Sequence, residues 1–349
     1  MNPESPFRFL LIGALLALAG CGPSEPRPLT VVGWGGTSQA AHRNAYWTSF
    51  TRDTGIKLRE DTWNGGIGVL RAKVKGGDPG WDVIQVETEE LIQGCEEGVF
   101  ERLDWQSLGG RDAFLPESVN DCGVGAMVWS YLIGYDGDRL KDGPKDWSDF
   151  FDLKKFPGKR GMRRTPKYTL EIALMADGVA PADVYRILST PEGVDRAFRK
   201  LDQIKPSVVW WSSVSQVPDL LASGEVAMSV TSPGRLILAD RNEKRNFKVV
   251  WNENIYAVDF WAVLKGGPRK TEAMALVKYM TEPQHESRLP LFIPTGLSNK
   301  KAIAIVGPKL QEDTPISPRN RVHALELNAP FWVENSDALT QRFNAWLAR

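Results

Sequence analysis

The sequence predicts an α/β protein, and three observations support this fold class. Short apolar runs rich in β-branched and aromatic residues alternate with segments of helical periodicity, which is the pattern of a sheet covered by helices. Hydrophobic residues make up 42% of the chain and charged residues 25%, as in soluble globular proteins. The 349 residues are enough for two domains of ordinary size.

The first third of the chain is predicted to alternate strands with helices. The turn Trp34-Gly35-Gly36 opens a helix that Thr37 or Ser38 caps, because hydroxyl side chains favour this position. We expect this helix to run to about Asp53 and to stop at Thr54-Gly55. The other predicted elements are strands at residues 29–33, 56–63 and 81–86 and a short helix at 69–74.

A change of composition suggests that a second domain follows. Residues 124–135 are apolar with β character, whereas residues 136–149 form a polar connection that contains Gly and Pro. Beyond it we expect strands at 208–211 and 226–230, helices at 170–176, 191–204, 218–222 and 271–280, and a turn at Ser232-Pro233-Gly234. A last amphipathic helix has four apolar residues on its inner face, which are Leu339, Phe343, Trp346 and Leu347.

The N-terminus predicts export from the cytoplasm. Arg8 precedes an apolar run at residues 9–19, which is too short to span a bilayer but suits the core of a signal peptide. Leu18-Ala19-Gly20-Cys21 resembles the lipobox of bacterial lipoproteins, while Ala17-Leu18-Ala19 also suits ordinary signal cleavage. We favour a signal peptide at 1–20 and an acylated Cys21, because that cysteine would otherwise be a stray thiol. Residues 21–28 are then a tether.

The two remaining cysteines, Cys95 and Cys122, are predicted to form a disulfide. An exported protein folds in an oxidising compartment, and closing a loop of this length would stabilise the fold by roughly 3 to 4 kcal/mol. We expect no metal site, because two distant thiols and three scattered histidines offer no ligand cluster.

A single carboxylate stands in the middle of the apolar stretch 255–263. In a strand Asp259 shares a face with Ala257 and Trp261, while Tyr256, Val258 and Phe260 point the other way. An isolated carboxylate there would cost several kcal/mol to bury. Asp259 therefore needs a partner, which is either a distant side chain or a ligand.

Residues at the carboxyl ends of two predicted strands are further candidates for a binding crevice. In open α/β sheets the ligand crevice lies beyond these strand ends, where Trp34 and Glu87 would both be found. We expect Glu89 and Glu90, by contrast, to be solvated carboxylates at the start of a helix, where they favour the helix dipole.

Composition and motifs exclude several classes of function. Lys plus Arg and Asp plus Glu both number 43, so nucleic-acid binding is not expected. The chain lacks the G-x-G-x-x-G and Walker spacings, the G-x-S-x-G elbow and the H-E-x-x-H motif. We therefore expect neither a cofactor nor an enzyme.

Several segments of the chain stand in a recognisable order and spacing: Thr54-Gly55-Ile56-Lys57, Trp81-Asp82-Val83, Trp147-Ser148-Asp149-Phe150-Phe151, Lys155-Phe156-Pro157-Gly158-Lys159, residues 220–227 and the Asp259 strand. By these segments the chain, from about Leu29 to its C-terminus, resembles the solute-binding proteins of ABC importers, specifically the spermidine/putrescine-binding group.

The resemblance implies a two-lobed periplasmic binding protein fold of type II, in which hinged lobes close around a ligand in the cleft between them. The chain would cross between the lobes near residues 128–131 and 256–259. We therefore assign residues 29–128 and 258–303 to one lobe and residues 129–257 and 304–349 to the other.

The resemblance also indicates candidate ligand residues, although several depart from the pattern of the polyamine group. Trp34 and the crossover acid Asp259 are kept, but Ala257 replaces an aromatic residue that precedes this acid in the group. Thr37, Ser232 and Tyr168 replace a tyrosine, a tryptophan and one of two acids, and Glu87 replaces a serine. With Glu171 and two lining tryptophans, the candidate set is Trp34, Thr37, Glu87, Tyr168, Glu171, Trp211, Ser232, Asp259 and Trp261.

The first functional hypothesis is a monomeric binding protein, periplasmic or lipid-anchored at the membrane, that delivers a polyamine-like cation to the transmembrane subunits of an ABC permease. A variant is a zwitterionic ligand, whose carboxylate would be bound by the amides of Gly35-Gly36-Thr37 or by Arg235. Two other classes stay open, which are a ligand-sensing lipoprotein and an exported enzyme.

Overall fold

The computed structural model of the protein describes residues 27–349. The predicted signal peptide, the lipidation site Cys21 and most of the tether lie outside the described residues. The strands are β1 (Leu29–Gly33), β2 (Leu58–Thr62), β3 (Val83–Glu87), β4 (Gly123–Asp136), β5 (Arg160–Arg163), β6 (Val208–Trp211), β7 (Met228–Thr231), β8 (Phe247–Val263) and β9 (Leu325–Glu326).

The helices are α1 (Gly36–His42), α2 (Thr48–Thr54), α3 (Ile67–Lys75), α4 (Thr88–Glu96), α5 (Trp147–Phe151), α6 (Thr169–Ala176), α7 (Val184–Leu188), α8 (Pro191–Asp202), α9 (Val217–Ser223), α10 (Pro233–Glu243), α11 (Lys270–Thr281), α12 (Pro283–Glu286), α13 (Lys300–Val306), α14 (Pro308–Gln311), α15 (Pro318–Arg321) and α16 (Ala329–Leu347). A π-helical turn, Arg43–Trp47, joins α1 to α2.

The strands form one sheet in the order β2-β1-β3-β8-β4-β7-β5-β6, with β9 paired to β8. Strands β1, β2 and β3 pair in parallel at one end, and β5, β6 and β7 pair in parallel at the other. The long strands β4 and β8 are antiparallel to each other and lie between the two parallel sets, with β8 beside β3 and β4 beside β7. We call the part around β1 to β3 the first lobe and the part around β5 to β7 the second lobe.

Each lobe has its own hydrophobic core. In the first lobe, successive residues of β1 face opposite sides of the sheet, so that Val31 packs in one cluster and Val32 in another. A single large cluster fills the second lobe and includes Trp147, Leu174 and Phe343. This separation agrees with the predicted lobes, whose residue boundaries stay a prediction.

Most predicted elements are present, and their ends differ by a few residues. The Gly-Gly turn is confirmed, because Gly35 and Gly36 have φ angles of 72° and 58°, which glycine adopts readily. The predicted cap at Thr37 or Ser38 is wrong, because α1 already begins at Gly36 and its N-cap is Gly35, which has no side chain to form a cap hydrogen bond. The helical segment that follows ends at Thr54, and Gly55 is left-handed with φ of 74°. In the last helix Leu339, Phe343 and Trp346 are buried, as their spacing predicts.

The predicted turn at Ser232-Pro233-Gly234 is wrong, because helix α10 begins there at Pro233. The fixed φ of proline suits the first position of a helix, and its missing N–H would have no partner at that position. The sequence pattern was interpreted as a turn because the same three residue types also favour turns.

The predicted disulfide between Cys95 and Cys122 is present, with the two Cα atoms 5.7 Å apart. It ties α4 to the start of β4. Within residues 27–349, no helix combines the length and the apolar composition needed to cross a bilayer.

Candidate functional site

A cavity of about 530 Å3 lies between the two lobes. The first lobe contributes the residues that follow β1 and β2, the end of β3 and the start of α4, and the second lobe contributes the end of β5 and the start of α10. The charged side chains that line it are Glu87, Glu90, Arg163, Lys167, Arg235 and Asp259. Its aromatic lining residues are Trp34, Trp63, Trp129 and Tyr131.

Asp259 is held by three neutral donors. The indole Nε1 of Trp34 and the amide Nε2 of Gln85 donate to Oδ2 at 2.8 Å and 2.9 Å, and the indole Nε1 of Trp129 donates to Oδ1 at 2.7 Å. The residue is only 4% exposed, and no cationic side chain of residues 27–349 forms a salt bridge with it. A carboxylate has about four acceptor positions, so Oδ1 keeps room for another donor.

The surroundings of Asp259 oppose its negative charge. Burial raises its pKa well above the usual range, and Glu87, which lies opposite it in the β3–β8 register, raises this pKa further. The hydrogen bonds from Trp129 and Trp34 lower the pKa but do not cancel these effects. An ammonium group beside Asp259 would therefore be bound favourably.

Glu87 has a cationic partner from the other lobe. The Lys167 Nζ atom contacts Glu87 Oε2 and donates to Glu89 Oε1 at 3.1 Å. Burial raises the pKa of Glu87, but the charges of Lys167 and Arg163 outweigh it and hold this pKa below its usual value. In turn, these carboxylates outweigh the burial of Lys167 and raise its pKa.

The prediction that Glu89 and Glu90 are solvated is wrong. Glu89 is in the ion pair with Lys167 and only 13% of its side chain is exposed. Glu87 is the N-cap of α4, and Glu90 completes a capping box with it by accepting the Glu87 N–H at 3.0 Å. Glu90 also accepts the Gly66 N–H at 3.1 Å. We call Glu87, Glu89 and Glu90 together the acidic corner.

Two arginines of the second lobe face the cavity without a carboxylate partner among residues 27–349. Arg163, at the end of β5, donates at 3.4 Å to the hydroxyl of Tyr131. Arg235, on α10, reaches the first turn of α1 in the first lobe, where a Cβ atom added to Gly36 would be 3.4 Å from its guanidinium. Burial lowers the pKa of Arg235. An anionic ligand group would satisfy either guanidinium.

Aromatic rings form the apolar walls. Trp34 stacks on Trp63 with ring centres 5.2 Å apart, and Trp129 meets Tyr131 edge to face at 5.1 Å. Because Trp34 and Trp129 also bond the two oxygens of Asp259, the carboxylate lies between indole groups. Such walls suit the methylene groups of a short aliphatic ligand.

The cavity brings together five of the predicted site residues, which are Trp34, Thr37, Glu87, Ser232 and Asp259. The other four do not line it. Tyr168 and Trp211 are buried behind Tyr131, with ring centres 4.8 Å and 6.0 Å from it. Glu171 accepts hydrogen bonds from Tyr185 and Trp332 in the second core, and Trp261 packs on His42 in the first core.

Sequence reasoning missed Gln85, Trp129, Arg163 and Lys167. The rule that selected Trp34 and Glu87, namely position at the carboxyl end of a strand, also applies to Arg163 and Lys167. Strand β5 was not predicted, however, because it has only four residues and two of them are arginines.

The cavity between two α/β lobes agrees with the family comparison. Residues 45–314 match the model of the family described as bacterial extracellular solute-binding protein. The chain belongs to this family. Among curated relatives of this solute-binding protein, the gamma-aminobutyric acid-binding protein of Pseudomonas aeruginosa is 41% identical over 334 residues, which cover 96% of this chain and 95% of the relative.

Solved structures confirm the two-lobed fold of this solute-binding protein. The binding protein MotA of A. tumefaciens B6, in complex with glucopine, is 31% identical, with a TM-score of 0.84 over 92% of this chain and 100% of its own. The GABA receptor Atu4243 is 30% identical, with a TM-score of 0.83 over 93% of this chain and 98% of its own. These relatives are solute-binding proteins and not enzymes.

The comparisons confirm the ABC importer component but not the expected polyamine ligand. Curated relatives named for putrescine or spermidine are only 22% to 24% identical. The relatives that are at least 30% identical include two that are named for γ-aminobutyrate. The extracellular family places this solute-binding protein outside the cytoplasm.

Proposed function

We propose that this solute-binding protein captures γ-aminobutyrate, or a closely similar amino acid with separated charges, and delivers it to an ABC permease. The observation that carries the proposal is the pattern of unpaired charge in the cavity. Asp259 has no cation beside it, and Arg235 has no carboxylate beside it among the described residues. A zwitterion would supply both missing partners.

The ammonium group of the ligand is assigned to Asp259. Three neutral N–H groups fix this carboxylate in place without giving it a counter-charge. A charge-assisted hydrogen bond to a buried partner contributes roughly 1.5 to 3 kcal/mol. The free acceptor position on Oδ1 is where such a bond would form.

The carboxylate of the ligand is assigned to Arg235, with Arg163 as a second guanidinium nearby. A guanidinium offers paired N–H donors that match a carboxylate in geometry and charge. Arg235 approaches Gly36, and Gly36 is two residues from Trp34, the donor to Asp259. The two charged groups of one short ligand can therefore reach both partners, with its methylenes along Trp34 and Trp129.

A dication fits this cavity less well. The lining has three carboxylates and three cationic side chains, so its formal charges cancel. A neutral zwitterion keeps this balance, whereas putrescine would add two positive charges. The relatives named for γ-aminobutyrate support the same choice.

We also propose the features of delivery that the described residues do not include. The signal peptide 1–20 would direct export, and an acylated Cys21 would hold the protein at the membrane beside its permease. Closure of the lobes 29–128 with 258–303 and 129–257 with 304–349 would form the surface that the permease subunits contact. The protein would act as a monomer.

Calorimetric titration of denatured and refolded protein tests the ligand assignment, since refolding removes bound solute. The ligands are γ-aminobutyrate, putrescine, which lacks the carboxylate, and butyrate, which lacks the amine. We expect γ-aminobutyrate to bind about 100-fold or more tightly than either analogue, because each lacks one partner of a desolvated charge pair. Equal or tighter binding of putrescine would refute the proposal.

A further inference from the structure

Two carboxylates lie directly opposite each other at the end of the cavity. The antiparallel register of β3 and β8 pairs Glu87 with Asp259, and like charges in opposite positions of a sheet repel. Glu89 and Glu90 follow within one helical turn. Without a cation this end of the cavity would present an excess of negative charge.

Among residues 27–349, the cation that contacts these glutamates comes from the other lobe. Lys167 lies in the segment between β5 and α6, and its Nζ atom contacts Glu87 and Glu89. Its side chain is 20% exposed, so the ammonium is largely removed from solvent.

The backbone beside Lys167 is held in an uncommon conformation. Tyr168 has φ of 72°, which lies in the left-handed region that residues other than glycine rarely adopt. The buried ring of Tyr168 packs against Trp129 and Tyr131 and fixes this turn in place. The turn directs Lys167 across the cleft toward the acidic corner.

We propose that Lys167 is a specificity residue, a tethered ammonium that occupies the acidic corner and so excludes ligands with a second positive charge. The inference rests on the proposed function, because it explains why a site with three nearby glutamates would select one ligand ammonium rather than two. With Lys167 in place, Glu87 and Glu89 are paired, and Asp259 is left for a ligand amine. Without it, Glu87 and Asp259 would form a site for a diamine.

The test is calorimetric titration of refolded wild type and the Lys167→Met variant with putrescine and with γ-aminobutyrate. Methionine keeps the length and the apolar stem of lysine but removes its charge. We expect the variant to bind putrescine at least about tenfold more tightly than wild type does, since one ligand ammonium then replaces Nζ in a charge-assisted contact.

Two further variants serve as controls for the Lys167→Met result. The double variant Lys167→Met with Glu87→Gln removes both partners, and it should lose the gain in putrescine affinity. Lys154→Met, which removes an exposed charge of the second lobe away from the cavity, should bind both ligands as wild type does. If Lys167→Met does not fold, Lys167→Gln takes its place, because its amide still donates to Glu87, and a smaller gain for putrescine is expected.

The two proposals fail in different ways. A folded Lys167 variant that binds putrescine no better than wild type overturns the role of Lys167, even when wild type binds γ-aminobutyrate. A gain that persists in the double variant overturns it as well, because the acidic corner would not be its source. If wild type does not bind γ-aminobutyrate but Lys167→Met binds putrescine more tightly than wild type does, the role of Lys167 is supported and the assignment of γ-aminobutyrate as the ligand is wrong.

Discussion

Asp259 and Glu87 are neighbours in the sheet, yet they differ in whether a cationic side chain contacts the carboxylate. Both are carboxylates at the same end of the cavity and lie opposite each other on β8 and β3. Glu87 is bound by the ammonium of Lys167, and its pKa is held below the usual value. Among the described residues, Asp259 is bound only by neutral N–H groups, and its pKa is raised. This part of the chain therefore neutralises the charge of Glu87 and provides no counter-ion for Asp259.

Glu171 shows that burial alone does not indicate a binding site. It is fully buried, it accepts hydrogen bonds from Tyr185 at 2.9 Å and Trp332 at 2.7 Å, and burial raises its pKa to about 7. These features resemble those of Asp259, but Glu171 lies in the core of the second lobe and does not line the cavity. A carboxylate becomes a ligand group only when it is also reachable from the cleft.

The largest expected effect is that of Asp259→Asn on ligand binding. The amide keeps the shape of the side chain. Its oxygen still accepts from Trp34 and Gln85, and the hydrogen bond from Trp129 is the one that is lost, so the variant is expected to fold. We expect its affinity for γ-aminobutyrate to fall by about 100-fold or more, because truncating one partner of a buried charge pair costs roughly 2 to 5 kcal/mol. Calorimetric titration of refolded protein measures this loss.

Glu171→Gln is the matched control, because it makes the same chemical change at another buried carboxylate. It should bind γ-aminobutyrate within about threefold of wild type, since Glu171 does not line the cavity. An equal loss of affinity in the two variants would show that Asp259 acts through the general stability of the fold.

A smaller effect is expected from pH. An ammonium group binds the ionised form of Asp259, so affinity for γ-aminobutyrate should fall by about tenfold for each pH unit below the raised pKa of Asp259. The ligand keeps both charges above pH ~5, since carboxyl groups of this kind titrate near 4 and alkyl amines near 10. Titrations between pH 5 and 8 test this, and two buffers of different ionisation enthalpy report the proton that binding releases.

The two carboxylates should affect folding stability in opposite directions. The raised pKa of Asp259 gives the ligand-free protein stability that is present below the reference value of 3.8 and is lost as pH rises through the folded pKa. The lowered pKa of Glu87 gives stability that is present above 4.5 and is lost as pH falls. As Asp259 ionises with rising pH, the free energy of unfolding of the ligand-free protein should therefore fall while the affinity for γ-aminobutyrate rises.

Glu90 is a second carboxyl group of the cavity with a raised pKa, because burial and the charge of Glu87 raise it to about 7. The Glu90→Gln variant separates the titration of Glu90 from that of Asp259. It is expected to fold, because glutamine also completes a capping box. The pH dependence of affinity should persist in Glu90→Gln. Affinity that becomes independent of pH in this variant would assign the titration to Glu90 instead.

The sequence predicted much of the fold because its signals are local. The Gly-Gly turn, the helix stop at Gly55 and the amphipathic pattern of Phe343 and Trp346 each follow from residues close in the chain. The short strand β5 and the start of α10 were missed. In β5 the arginines masked the pattern, and at α10 the same residues favour both a turn and a helix start.

The site was predicted only in part because its contacts are distant in sequence. The apolar surroundings of Asp259 showed that it needs a partner, and position at a strand end selected Trp34 and Glu87. The hydrogen bonds from Trp129 and Gln85 to Asp259 depend on the register of the strands, as in the β3–β8 pairing. The ion pair between Lys167 and Glu87 depends on how the two lobes meet, and the sequence has no local signal for this arrangement.

We propose that Asp259 binds the ammonium group of the ligand while Arg235 binds its carboxylate. The most direct test compares the affinities of γ-aminobutyrate and 4-aminobutanamide, whose neutral amide replaces the carboxylate, in wild type, Arg235→Met and Arg241→Met. Arg241 lies on the same helix but is exposed and does not line the cavity. Wild type and Arg241→Met should prefer γ-aminobutyrate by about 30-fold or more, and this preference should shrink to within about threefold in Arg235→Met. If Arg235→Met weakens the binding of both ligands equally and keeps the preference for γ-aminobutyrate, the ligand carboxylate is bound elsewhere and Arg235 is not its partner.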